Sequence, residues 1–158
     1  MARLYGPEAY YTRAWPDSYW RASVDLPPPA PPLEGAHQAE VAIIGAGYAG
    51  LNAALELAER FGIQAHVLEA GQPGWGASGR NGGFCCHGGA KLSARQITAR
   101  HGEAAARDWQ AFEYDAIERV RDNLARYAID ADAGPEGELY MAHSARSFAR
   151  MQATPREF

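Results

Sequence analysis

Residues 39–70 constrain this chain more than any other stretch. A short apolar run, Val41-Ala42-Ile43-Ile44, is followed at once by Gly45, Gly47 and Gly50 in G-x-G-x-x-G spacing. Leu51, Ala54, Leu55, Ala58 and Phe61 then recur at helical intervals, with Glu56, Glu59 and Arg60 on other faces. Gly62 stands where a helix C-cap belongs. Ala65–Leu68 resumes an apolar run that Glu69 closes. The expected order is strand, glycine turn, helix, strand. Both strands read as apolar enough to be buried on two faces, as in a parallel sheet.

The spacing of the glycines has a physical reason. Gly45 permits the tight turn, Gly47 lets a ligand approach the backbone, and Gly50 lets the helix pack close to the strand. The start of that helix presents unpaired N–H groups and a positive dipole end of roughly half a charge. Such a turn suits the diphosphate of a dinucleotide, with Ala46, Tyr48 and Ala49 lining it. Tyr48 is expected to be a packing residue with its hydroxyl at the surface. Glu69, followed by Ala70, is placed to accept charge-assisted bonds from both ribose hydroxyls, worth about 1.5–3 kcal/mol each. It would repel a 2′-phosphate, and Ala70-Gly71-Gln72 offers no arginine to offset the clash. FAD or NAD is therefore expected, and NADP is not.

The flanking chain adds bounds. Residues 1–25 contain Tyr5, Tyr10, Tyr11, Trp15, Tyr19 and Trp20, too much aromatic surface for a disordered tail, and should pack on a larger body. Leu26–Leu33, LPPPAPPL, reads as a stiff extended spacer. After the nucleotide unit, residues 71–89 are too rich in glycine for an ordinary helix or strand, yet carry Trp75, Arg80, Asn81 and Phe84. They are expected to form a loop whose backbone passes close to a ligand. A short helix at Ser93–Arg100, broken at His101-Gly102, should precede a long amphipathic helix at Glu103–Tyr127 with Trp109, Phe112, Ala116, Val120, Leu124 and Tyr127 on one stripe. Glu138–Ala142 reads as a strand and Ser144–Met151 as the start of a helix.

The formal charge of -4 implies no general affinity for nucleic acid. No window is apolar enough to span a membrane and no signal-peptide core is present, so a cytoplasmic protein is expected. Cys85 and Cys86 are adjacent, which strains a ring disulfide, and read as small apolar residues. The Cys-Cys-His run at 85–87 lacks zinc-site spacing, so no metal is expected.

The GAGYAG turn, the Glu69-Ala70 pair and the GASGRNGG run at Gly76–Gly83 together resemble the FAD-dependent oxidoreductases of the D-amino-acid oxidase superfamily. The nearest resemblance is to the gamma-glutamylputrescine oxidase-like branch, in which an element like Ser18-Tyr19-Trp20 also precedes the first strand. The resemblance is tight over Glu40–Gly83 and loose after about Leu92. It implies an α/β fold: a Rossmann-like FAD-binding domain, incomplete here, with the start of a mixed α+β substrate domain. Residues 1–33 would be an aromatic segment and spacer, 34–130 the first part of the FAD domain, and 131–158 the opening of the substrate domain.

By the same resemblance, Gly45, Gly47 and Gly50 hold the pyrophosphate and Glu69 the ribose. Gly76, Ala77, Ser78, Arg80, Asn81, Gly82 and Gly83 line the phosphates and the approach to the flavin, with Arg80 offsetting phosphate charge. The implied reaction oxidises a C–N bond of an amine or amino acid by hydride transfer to FAD, giving an imine that water hydrolyses. The catalytic residues are not among those that match. An NAD-dependent dehydrogenase is the alternative that the glycine turn and Glu69 leave open. Family members are more than twice as long, so the chain is expected to be an N-terminal fragment. A non-catalytic remnant of the flavoenzyme is then the other alternative.

Overall fold

Ala42–Ile44 (β1) and His66–Leu68 (β2) pair in parallel, with Ala42 opposite His66, Ile43 opposite Val67 and Ile44 opposite Leu68. The helix Tyr48–Phe61 (α2) is the crossover between them. It ends at Gly62, whose left-handed backbone (φ 69°) lets its N–H close on the carbonyls of Leu57 and Ala58. The computed structural model describes residues 4, 6–12, 14–89, 91–134, 137 and 139–153 of the 158-residue chain. The described chain divides into two units, Met1–Gly83 and Phe84–Phe158.

The first unit contains this βαβ element and the segment before it. α2 contacts both strands, and the middle residues Ile43 and Val67 are half-buried. The flanking strand residues are exposed, Ile44 at 91% and Leu68 at 37%. Burial on both faces, expected from the apolar runs, is therefore not found. Alternate strand residues point to opposite faces, one crossover helix covers one face, and the sheet among the described residues has two strands. Before β1, Pro7–Tyr10 forms a short 3₁₀ turn and Tyr19–Ala22 (α1) a single helical turn. Ser18 caps α1, its Oγ accepting the Arg21 N–H. Residues 26–33 carry no helix or strand and are exposed apart from half-buried Leu26. Of the aromatic segment, Trp15 and Trp20 pack against the loop after β2, whereas Tyr10, Tyr11 and Tyr19 stay exposed. Tyr5 lies outside the described residues.

In the second unit, Ala94–Arg126 (α3) is two helical segments joined at Gly102, whose φ of 88° and ψ of 166° are non-helical. The predicted break falls there. Ser93 and Gln96 form a reciprocal capping box at its start. Ser93→Ala is expected to weaken that first turn by about 1 kcal/mol. Faster amide hydrogen exchange at Gln96 and Ile97, with α2 amides unchanged, is the measurement that checks it. Ile97 is buried, but the long stripe after the kink is largely uncovered, with Phe112 63%, Val120 43% and Trp109 39% exposed.

Ala145–Ala153 (α4) takes the place expected for a terminal helix. The strand expected before it is absent over residues 139–142, and Glu138 lies outside the described residues. A strand exists only as a paired ladder, and among the described residues Leu139 and Met141 have no such partner; they are 85% and 82% exposed.

Candidate functional site

The glycine turn between β1 and α2 is built as its spacing demands. The Gly45 N–H donates to the Leu68 carbonyl at 2.7 Å, tying the turn to the end of β2, and Gly45 has a φ of 102°. A Cβ on Gly50 would collide with the Gly45 carbonyl oxygen and lie 3.2 Å from Ile43 Cγ2. Only glycine lets helix and strand approach so closely. A Cβ on Gly47 would meet Ser78 Oγ at 2.8 Å. Ala46, between them, is 3% exposed, the most enclosed apolar residue described.

Glu69 reaches this turn from the end of β2. Its Oε2 accepts the Ala46 N–H at 2.7 Å and its Oε1 the Gly71 N–H at 2.9 Å. The carboxylate is thus fixed by backbone donors on both sides, and each oxygen keeps capacity for a further bond. Ser78, from the 3₁₀ turn Ala77–Gly79, accepts the Tyr48 N–H at 3.0 Å. The first ladder bond of α2 runs from Leu51 N–H to Gly47 O, at 3.0 Å. The N–H groups of Ala49 and Gly50 therefore precede the ladder and form part of the positive end of the helix. Gly45, Ala46, Gly47, Tyr48, Ala49, Gly50, Glu69, Ala70 and Ser78 are brought together in one place. The Tyr48 ring is 63% exposed rather than packed, because the helix start leaves that side of the turn open.

The rest of the glycine-rich run forms an organised loop joined to that cluster at Ala46 and Ser78. Asn81 staples its own loop: its Nδ2 donates to the Ser78 carbonyl at 2.9 Å and its Oδ1 accepts the Gly83 N–H at 2.7 Å. Arg80 is exposed; its guanidinium lies 4.1 Å over the Trp75 ring, and its Nε donates to the Trp75 carbonyl at 2.8 Å. It makes no bond to the glycine turn. Gly76, Ala77, Gly82 and Gly83 are backbone positions of this loop, and the Gly74 N–H donates to the Ala46 carbonyl at 2.8 Å.

Sequence reasoning missed the residues that hold this loop from behind. Thr12 Oγ1 donates to the Ala70 carbonyl at 2.9 Å, Trp20 Nε1 to the Asn81 carbonyl at 2.6 Å, and Trp75 Nε1 to the Ala14 carbonyl at 2.8 Å. The aromatic richness of residues 1–25 signalled packing, but nothing in the spacing named its target. Among the described residues no group of side chains has the makings of a metal site. Cys85 and Cys86 are exposed thiols. No helix is long and apolar enough to cross a membrane. A shallow open groove lined by Tyr140–Ala145 and Phe148 lies in the other unit and contains none of the predicted site residues.

A parallel βαβ element with a glycine turn at the helix start and an acid at the end of the second strand has the architecture of the dinucleotide-binding class. The comparisons narrow this. Residues 40–157 match the model of the family described as FAD dependent oxidoreductase, and the chain belongs to that family. It is 35% identical over 135 residues to gamma-glutamylputrescine oxidoreductase of Escherichia coli (strain K12), covering 85% of this chain and 31% of that protein. It is 38% identical over 102 residues to the probable oxidoreductase OrdL of Haemophilus influenzae, covering 65% of this chain and 23% of the relative. The OrdL of Rhizobium meliloti is 35% identical over 132 residues, 81% of this chain and 29% of that protein. The chain thus spans a third or less of the length of these relatives. No solved structure matches it significantly.

Proposed function

We propose that this chain provides the dinucleotide-binding element of an FAD-dependent oxidoreductase that oxidises a C–N bond of an amine or amino acid. The observation that carries the reading is the convergence of three elements on the start of α2: the Gly45–Gly50 turn, the Glu69 carboxylate held by two backbone N–H groups, and Ser78. The amine substrate is inferred from the Escherichia coli relative, a gamma-glutamylputrescine oxidoreductase.

The residues present suit the ADP half of FAD. The N–H groups of Ala49 and Gly50 supply donors for the diphosphate, and the missing side chain at Gly47, where a Cβ would meet Ser78 Oγ at 2.8 Å, leaves its backbone uncovered beside the Ser78 hydroxyl. Glu69, already oriented by Ala46 and Gly71, offers its remaining lone pairs to the ribose hydroxyls. Ser78 holds the first N–H of the helix and can exchange that bond for a phosphate oxygen. Arg80, stacked on Trp75, contributes positive charge to the loop from an exposed position, and the glycines at 76, 82 and 83 leave the backbone accessible. The bound flavin would supply the two-electron acceptor. The family match over residues 40–157 favours FAD over NAD.

The test is a visible spectrum of the purified 158-residue chain after incubation with FAD and desalting. Retained flavin absorbance is the expected outcome. A colourless protein would show that this stretch does not hold the cofactor by itself. Anaerobic bleaching of the flavin by an amine, in a chain of the relatives' length, checks the proposed chemistry.

A further inference from the structure

The segment before β1 grips the glycine-rich loop at its start and near its middle. Thr12 Oγ1 donates to the Ala70 carbonyl and Trp20 Nε1 to the Asn81 carbonyl, across 58 and 61 residues of chain. Trp20 also lies against the backbone of Gly83, where an added Cβ would sit 2.6 Å from Cη2. Trp15 packs on the same loop, its Cζ2 2.7 Å from where a Gly79 Cβ would stand. Its own Nε1 is buried without a hydrogen-bond partner among the described residues.

In a trans peptide, the carbonyl of one residue and the N–H of the next point in opposite directions. A donor that holds a carbonyl on one side therefore aims the following N–H to the other. This is visible at the first grip: Thr12 takes the Ala70 carbonyl, and the next N–H, that of Gly71, bonds Glu69 Oε1. At the second grip Trp20 takes the Asn81 carbonyl, which turns the Gly82 N–H away from Trp20.

We propose that Thr12 and Trp20 act as a carbonyl clamp, positioning residues that keep the Ala70 and Asn81 oxygens off the ligand face of the loop and turn the Gly71 N–H toward Glu69 and the Gly82 N–H toward an anionic diphosphate. The ligand named here rests on the dinucleotide reading; the clamp geometry does not. A diphosphate is repelled by carbonyl oxygens and attracted by N–H groups, so the direction of one or two peptides decides whether the loop favours it. Thr12 and Trp20 touch no ligand in this scheme.

Trp20→Phe and Trp15→Phe separate the clamp from simple aromatic packing. Both keep a ring against the loop, but only the first removes an indole N–H that holds a carbonyl. The expected result in the 158-residue chain is a displaced Gly82 amide resonance in Trp20→Phe, and an affinity for FAD about five- to tenfold weaker, the loss of one hydrogen bond. Trp15→Phe should leave both unchanged, with far-UV circular dichroism confirming that each variant is folded. Equal losses in the two variants, or an unmoved Gly82 amide in Trp20→Phe, overturn the clamp. If the unsubstituted chain takes up no FAD, the dinucleotide reading fails for this chain. The Gly82 amide, read without nucleotide, still decides the geometry: movement in Trp20→Phe alone supports the clamp, and no movement overturns it.

Discussion

Gly50→Ala is expected to destabilise the βαβ element by at least about 3 kcal/mol, beyond ordinary overpacking. Two effects oppose each other. Alanine is the better helix former by about 1 kcal/mol, which favours the substitution. Against it, the new methyl would collide with the Gly45 carbonyl oxygen and press on Ile43. The struck atom is backbone, held in place by the Gly45 N–H bond to Leu68, so it cannot swing aside as a side-chain tip would. The helix must move off the strand, and that loosens the half-buried Ile43 and Val67 together. Such a loss is a large share of the roughly 5–15 kcal/mol that holds a domain together. Urea unfolding followed by circular dichroism, with amide exchange at Ile43, is the measurement. A midpoint equal to or above that of the unsubstituted chain would contradict the close approach of helix and strand.

Glu69→Ala is expected to damage binding more than any other single change. It removes the acceptor of the Ala46 N–H, at a residue that is itself 3% exposed. An unsatisfied buried donor costs about 1–3 kcal/mol. It also removes the acceptor assigned to both ribose hydroxyls, so FAD affinity should fall about 100-fold or more. Glu69→Gln separates the two effects. The amide oxygen can still receive the Ala46 N–H, while the negative charge is lost, so stability should hold better than binding. Flavin fluorescence titration alongside thermal unfolding reads both. Equal FAD affinity in Glu69→Ala and the unsubstituted chain would remove Glu69 from the site.

The part of the fold written most plainly in the sequence was local. The glycine spacing, the helical stripe of Leu51–Phe61, the cap at Gly62 and the break at Gly102 depend on residues within a few positions of one another, and each appears in the structure. Glu69 could be placed near the turn because parallel pairing brings the end of β2 beside the end of β1. What depended on partners elsewhere was harder to read. The apolar runs at 41–44 and 65–68 imply burial on two faces, but alternation supplies only preference, and the neighbours decide exposure. Leu139–Ala142 has strand composition without a strand to pair with. The bond from Tyr48 to Ser78 and the contacts of Thr12 and Trp20 join positions 30 to 61 residues apart, a separation that no periodicity reports.

The long reach of Trp20 also bears on how such a protein can be taken apart and rebuilt. The natural place to cut for transplanting the glycine turn is just before β1, after the proline-rich stretch, because the recognisable residues begin there. That cut discards the donors for the Ala70 and Asn81 carbonyls. The smallest cassette that preserves the loop begins upstream of Thr12 and runs through Gly83, with the proline-rich stretch kept as the tether. A chimaera assembled from the glycine turn alone would inherit the letters of the site without the scaffold that holds its peptides in direction.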